Sequence, residues 1–173
     1  MSVDKVHVMV DIETLDTTPT AVILSIGACT IVPWFPTEFY EELDVNTQYE
    51  RTKSESTIAW WATQTMPMPQ GTTPIKDALQ SFGRWISSLR AEPIIWCKGT
   101  DFDTAILAHA YAQHKIPLPW KYNAVRDFRT VKKLFPHYQF PANPQAHNAL
   151  QDALHQTEEL KAILKANPNL SLA

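Results

Sequence analysis

The first third of the chain is patterned for strands. Val6-His7-Val8-Met9-Val10 is a short apolar run rich in β-branched residues, and it ends at Asp11. This predicts a strand that delivers Asp11 and Glu13 at its C-terminal end. Ala21 to Val32 predicts a second strand, with Gly27 as a bulge or a point of close backbone approach. Glu38 to Val45 predicts a third, so the opening reads as an antiparallel meander. The period then changes. Ser54 to Gln64 predicts a helix capped by Ser54 or Ser56. Met66 to Pro74 contains three prolines and Gly71 and predicts a loop. Thr73 is the expected cap of the next helix, with Pro74 at its first position and an apolar stripe running to Leu89. Pro93 to Lys98 predicts a strand, Asp103 to His114 a helix, and Asp127 opens a helix running to about Phe135. After a proline-rich loop, Pro136 to Gln145, His147 leads into a last helix ending near Asn167-Pro168. Three strands, two helices, a strand and three helices predict an α/β domain with a mixed sheet flanked by helices.

The whole chain bounds what that domain does. Its 173 residues fit one domain, 1–173, able to bury roughly 70% of its unfolded surface. No apolar run approaches the roughly 20 residues of a membrane span. The opening MSVDKVHVMVDIE lacks the pattern of a signal peptide, so no membrane partner is expected. Cys29 and Cys97 lie in apolar strand-like runs and read as reduced core residues of a cytosolic protein. The net charge of −3 argues against holding nucleic acid by a broad basic surface. It leaves room for an enzyme that meets phosphates through metal ions.

Three acidic clusters and one histidine carry the candidate chemistry: Asp11-Ile12-Glu13, Phe102-Asp103, and His147 followed by Asp152. Side chains two apart on a strand share a face, so Asp11 and Glu13 converge. Asp11 ends a buried-looking run, where a charge needs a reason. Asp101 competes with Asp103, since either can cap the helix that follows; capping goes to Asp101 and metal binding to Asp103. His147 sits where the last helix starts, and Asp152 sits more than one turn in. The other histidines (His7, His109, His114, His137, His155) lack a matched carboxylate and read as structural or surface residues. Four carboxylates at close range raise one another's pKa unless cations join them. Two divalent cations about 3.5–4 Å apart can hold the attacking and the leaving oxygen of a phosphodiester, and a histidine that titrates near neutrality can take the proton of the attacking water. The set therefore suggests a two-metal phosphodiesterase. Adjacent helical residues point about 100° apart, so one of Trp60 and Trp61 is expected inside. The other would stack on a base, meet a second subunit or simply pack in the core, with Trp61 the expected substrate contact.

The set Asp11/Glu13, Asp103, His147/Asp152 resembles the DEDDh class of DnaQ-like 3′–5′ exonucleases, on a ribonuclease-H-like fold with a mixed five-stranded sheet flanked by helices. The likeness spans Val6 to about Leu164. Asn148 stands where the tyrosine subtype would place its tyrosine, so the chain resembles the histidine subtype. Asp11-Ile12-Glu13-Thr14-Leu15, Ile26-Gly27-Ala28, Ser56 to Gln64 (STIAWWATQ) and Asp127-Phe128-Arg129-Thr130 resemble the phage exonuclease A and mycobacterial exoribonuclease-like branch. Leu15 and Asp16 depart from the Asp-x-Glu-Thr-Thr-Gly pattern of proofreading subunits. The resemblance implies that Asp11, Glu13, Asp103 and Asp152 bind two Mg²⁺ or Mn²⁺ ions, with Asp11 bridging both. It makes His147 the general base and has Thr14 and Leu15 contact the 3′-terminal nucleotide. The partner implied is the 3′ end of DNA or RNA, the products nucleoside 5′-monophosphates, the assembly a homodimer, and the location the cytoplasm of a bacterium or of a phage-infected host. A binding module on the same fold without turnover, and an RNA-specific trimming enzyme, are the competing readings.

Overall fold

A computed structural model describes residues 4–31, 37–170 and 172. The elements run β1 (Lys5–Thr14), β2 (Ile23–Thr30), β3 (Glu38–Glu42), α1 (Glu55–Trp61), α2 (Ile75–Ser88), β4 (Glu92–Cys97), α3 (Asp103–Gln113), β5 (Val125–Asp127), α4 (Phe128–Leu134) and α5 (Ala149–Ala166). The strands form one mixed five-stranded sheet in the order β3-β2-β1-β4-β5. β1, β2 and β3 make the expected antiparallel meander. β4 then pairs parallel with β1, and β5 parallel with β4. Val32, the predicted end of the second strand, lies outside the described residues.

β1 delivers Asp11 and Glu13 near its C-terminal end, as expected: its pairing with β2 continues from Val8↔Thr30 to Glu13↔Ser25 and crosses an irregularity to Thr14↔Ile23. Two expectations change. β5 is an element that the pattern did not locate, because three half-exposed residues are too few for a period of two. The helix caps also differ. Thr73 donates its hydroxyl to Glu41 Oε1 at 2.6 Å, while Pro74 occupies the cap of α2 and the Ile75 N–H donates to Thr47 Oγ1 at 3.1 Å. Asp101 caps nothing, for Phe102 holds the cap position of α3 without a side-chain bond. Ser54 and Asp127 do cap, accepting from the Thr57 and Thr130 N–H groups at 3.0 Å.

β1 and β2 are buried over nearly their whole length, as central strands covered on both faces must be. α2 turns Ile75, Ala78, Leu79, Phe82 and Ile86 inward, a stripe at helical spacing. The Tyr111 hydroxyl on α3 donates to the Leu79 carbonyl at 2.8 Å, which pays the desolvation of a buried phenol. Both cysteines are buried free thiols, and burial pushes Cys29 up to about 11. Arg51 is buried without an ion-pair partner among the described residues. It donates instead to the Ala21 carbonyl at 2.7 Å and to Gln113 Oε1 at 2.9 Å. Those bonds tie the connection after β1 to α3.

α5 packs across β2 and β1, and one residue sets how close it comes. A Cβ on Gly27 would collide with the backbone of Ala149 and Leu150 in the first turn of α5. Gly27 lies opposite Asp11 in the β1–β2 register, so this approach brings the start of α5 beside the acidic strand. Gly27→Ala is expected to destabilise the fold by about 1–3 kcal/mol, as overpacking against rigid atoms does. Gly83→Ala is the matched control. Its Cβ would meet only the Tyr111 hydroxyl, at 3.8 Å, and in the interior of α2 it should stabilise by up to about 1 kcal/mol. Denaturant melts of the two variants test the contrast, and equal midpoints would remove the role assigned to Gly27.

Candidate active site

Each acidic side chain reaches the site for a local reason. β4 pairs with β1 only as far as Met9↔Trp96, so β1 overhangs its parallel neighbour by several residues. Asp103, at the start of α3, fills part of that gap: its Oδ1 accepts the Ile12 N–H at 3.1 Å. A buried backbone donor that strand pairing leaves over is thereby satisfied, and the carboxylate is set beside Asp11 and Glu13. Asp152 lies in the first turn of α5, since the helix begins only at Ala149. Its Oδ2 accepts the His147 N–H at 2.7 Å, and its Oδ1 accepts from Asn143 Nδ2 at 3.0 Å. The expectation of an aspartate more than one turn into the helix is corrected accordingly. Asn148, not His147, caps α5 by accepting the Gln151 N–H at 3.0 Å.

His147 adopts a positive φ of 71°, a conformation uncommon for a non-glycine residue. The turn lets its N–H face Asp152 while its ring lies edge-on to Trp60, with centroids 4.7 Å apart. Ligating atoms of Glu13, His147 and Asp152 all lie within 4.8 Å of one another.

The electrostatics of the cluster are unfavourable without a counter-charge. Asp11 is held well above the usual carboxylate range, first by burial and then by Asp103, Glu13 and Asp152. Burial, Asp152 and Asp103 push Glu13 up to about 8. Burial pushes Asp103 to about 7, opposed by its bond from Ile12 and by the Arg129 guanidinium. Gln156 Nε2 donates to Asp11 Oδ1 at 2.8 Å and favours its charged form. An all-oxygen donor set with this mutual repulsion suits hard divalent cations, which take carboxylate ligands and lower such pKa values.

The expected substrate contacts divide. Thr14 borders a cavity of about 320 Å³ together with Glu13, Ser56, Thr57, Trp60 and Phe102. Leu15 and Trp61 do not border it. Both are buried in a small cluster with Val22 and Leu24, and Trp61 Nε1 donates to the Thr14 carbonyl at 2.9 Å. Trp60, 41% exposed, is the tryptophan that faces the cavity. Sequence reasoning also missed Phe102 and Gln156. Gln156 follows Asp152 by four residues, one turn along the same helix face, and that spacing was a usable signal. The other histidines stay outside the cluster: His7 accepts from Trp96 Nε1 at 2.9 Å, and His155 Nε2 lies 2.7 Å from the Pro141 carbonyl.

A model of the family described as the 3′–5′ exoribonuclease Rv2179c-like domain matches residues 6–164. No curated protein matches in sequence. Solved structures share the fold at low identity. Exonuclease I superposes with a TM-score of 0.71 at 11% identity, over 96% of this chain and 43% of its own. Cell-death related nuclease 4 (CRN-4) gives 0.63 at 13%, over 95% and 65%. The nuclease domain of 3′hExo, a DEDDh family member bound to rAMP, gives 0.61 at 11%, over 98% and 96%. The chain thus spans less than half the length of exonuclease I.

A proton-linkage experiment tests the cluster. The folded-state pKa of Glu13 is raised from an ordinary 4.5 to about 8. The metal-free fold therefore binds more protons than the unfolded chain across that interval, and its stability falls as pH rises through it. Mg²⁺ or Mn²⁺ should raise Tm, and more at pH 8 than at pH 5.5, because the ligands must be deprotonated. A metal-induced shift that is absent, or equal at both pH values, would count against a shared carboxylate site.

Proposed function

Since the chain belongs to the Rv2179c-like 3′–5′ exoribonuclease family, we propose that it is a 3′–5′ exonuclease that removes nucleotides from the 3′ end of single-stranded RNA or DNA. It would do so by metal-dependent hydrolysis that releases nucleoside 5′-monophosphates. The family description favours RNA. The observation that carries the reading is the convergence of Glu13, His147 and Asp152 within 4.8 Å, with Glu13 also lining a cavity of about 320 Å³. The family match and the single sheet support treating the chain as one exonuclease domain.

Asp11, Glu13, Asp103 and Asp152 would hold two Mg²⁺ or Mn²⁺ ions. Bound there, such ions supply charge stabilisation to the attacking and leaving oxygens. Thr14, Trp60 and Phe102 would receive the terminal nucleotide, with the Trp60 ring as a stacking surface worth roughly 1–3 kcal/mol. A mononucleotide pocket accords with the rAMP recorded in 3′hExo. His147 would take the proton of the attacking water, its ring oriented by Trp60 while its N–H holds Asp152. The water oxygen joins phosphorus, the bond to the 3′ oxygen of the penultimate sugar breaks, and that oxygen collects a proton. The homodimer implied by the resemblance belongs to this reading. Among the described residues no helix is long and apolar enough to cross a membrane.

Digestion of 5′-labelled single-stranded RNA and DNA of one sequence, with Mg²⁺, Mn²⁺ or EDTA, should give a metal-dependent ladder shortening from the 3′ end. An Asp11→Asn control should give none, and His147→Ala should slow the reaction roughly 10²–10⁴-fold. Intact substrate under every metal condition would favour a binding module instead, and a His147→Ala loss below about threefold would remove that residue from the base role. Asp103→Asn should abolish turnover, because Asp103 is buried against Ile12. Asp101→Asn should be tolerated, because Asp101 is exposed and caps nothing. The reverse outcome would exchange the two assignments.

A further inference from the structure

Beyond the acidic cluster, basic side chains gather on one surface. Lys98, at the end of β4, lines a groove of about 650 Å³ with Arg129, Lys132 and Lys133 of α4 and with Pro136. Lys132 is committed to structure, pairing with the buried Glu159 carboxylate at 2.6 Å. Lys98, Arg129 and Lys133 are exposed and have no ion-pair partner among the described residues. Arg129 Nη2 donates to the Lys98 carbonyl at 2.9 Å, which fixes the guanidinium while leaving most of its five donors available. Asp127 caps α4 through Thr130, and the Lys132–Glu159 pair fastens α4 to α5. The helix that carries Arg129 and Lys133 is therefore anchored. It also opposes the overall balance of a chain with net charge −3.

Its position relative to the cluster is equally informative. Lys98 precedes Asp103 by five residues, so their Cα atoms are at most ~18 Å apart. Arg129 is close enough to Asp103 to favour its charged form. Phe102, in the intervening turn, borders the nucleotide-sized cavity. One short loop thus separates the cavity from the groove. Along a stacked strand with 3.4 Å per phosphate, the distance corresponds to about five phosphates or fewer.

We propose that this groove is a phosphate track, in which Lys98, Arg129 and Lys133 bind the backbone of a single-stranded nucleic acid a few nucleotides to the 5′ side of the terminus held in the acidic site. The proposal rests on the exonuclease reading and extends it to the substrate's length and charge. The track gives a negatively charged protein a local hold on a polyanion, and it carries no base preference because it meets phosphates alone.

The test is a salt titration of binding without cleavage. A 5′-fluorescein-labelled twelve-nucleotide oligouridylate is titrated with the protein in Ca²⁺, and affinity is read by anisotropy over a range of salt. Each phosphate contact to a single strand contributes about 0.7 to the slope of log affinity against log salt. Lys98→Gln/Lys133→Gln should flatten that slope by about 1.4, while Lys98→Arg/Lys133→Arg should retain it. In Mg²⁺, the advantage in KM of the twelve-nucleotide substrate over a dinucleotide should shrink in the glutamine variant. An unchanged slope with an unchanged length advantage overturns the track. If the double variant does not fold, the single Lys133→Gln should flatten the slope by about 0.7, and failure to do so overturns the proposal equally. The two readings separate cleanly. A charge-dependent slope in a protein that cleaves nothing sinks the exonuclease and keeps the track, whereas cleavage with a slope indifferent to these lysines does the opposite.

Discussion

Repulsion among four carboxylates confined to one end of the sheet is the constraint on which the rest of the structure depends. Water would screen such charges if they lay on the surface. Asp103 and Glu13 are buried, where charged forms are expensive and neighbours are felt strongly. The fold answers with fixed donors. The Ile12 N–H serves Asp103, the His147 N–H and the Asn143 amide serve Asp152, and the Gln156 amide serves Asp11. Of these donors, Ile12 belongs to β1, Gln156 to α5 and His147 to the turn that precedes α5. The arrangement is preorganised for cations because it is unsatisfied without them.

The sheet topology supplies the positions of those donors. Parallel pairing of β4 with β1 ends before β1 does, and the overhang leaves both a free N–H and room for α3 to begin. The antiparallel partner β2 offers Gly27 opposite Asp11, and the missing side chain admits α5. The two helices that bring Asp103 and Asp152 therefore reach β1 through different openings, α3 where the parallel pairing with β4 ends and α5 over the sheet face where Gly27 lacks a side chain. Burial of central strands makes those gaps stable, since slippage of β1 by one residue would turn Asp11 and Glu13 to the other face.

This logic explains which parts were legible beforehand. Asp11 and Glu13 could be read because a period of two is local, and His147 with Asp152 because their separation is short. The first two strands of the meander could be read because they are long and apolar. β5 is held by Ile95, Trp96 and Cys97 and not by any pattern of its own. Asp101 and Asp103 are equivalent as residue types, and only the orphan N–H of Ile12, far away in sequence, distinguishes them. Trp60 and Trp61 share a helix turn, yet Trp61 is drawn inward by the Thr14 carbonyl. In each case the deciding partner is distant along the chain, and local propensity carries no record of it.

The turn at His147 shows why the histidine precedes the helix instead of riding on it. On a helix, its N–H would be spent on the ladder and its ring would be fixed with the helix wall. In the left-handed turn the N–H is free to hold Asp152, while the ring leaves in another direction toward Glu13 and is bracketed by Trp60. Backbone and side chain thus make separate contacts, the N–H with the Asp152 carboxyl and the ring with Trp60 and Glu13. A left-handed conformation at a non-glycine residue costs of order 1–3 kcal/mol. The 2.7 Å hydrogen bond from the His147 N–H to the Asp152 carboxyl offsets that cost. Asp152 thus holds the turn, and the placement of the His147 ring depends on the same carboxyl group that converges with it and with Glu13.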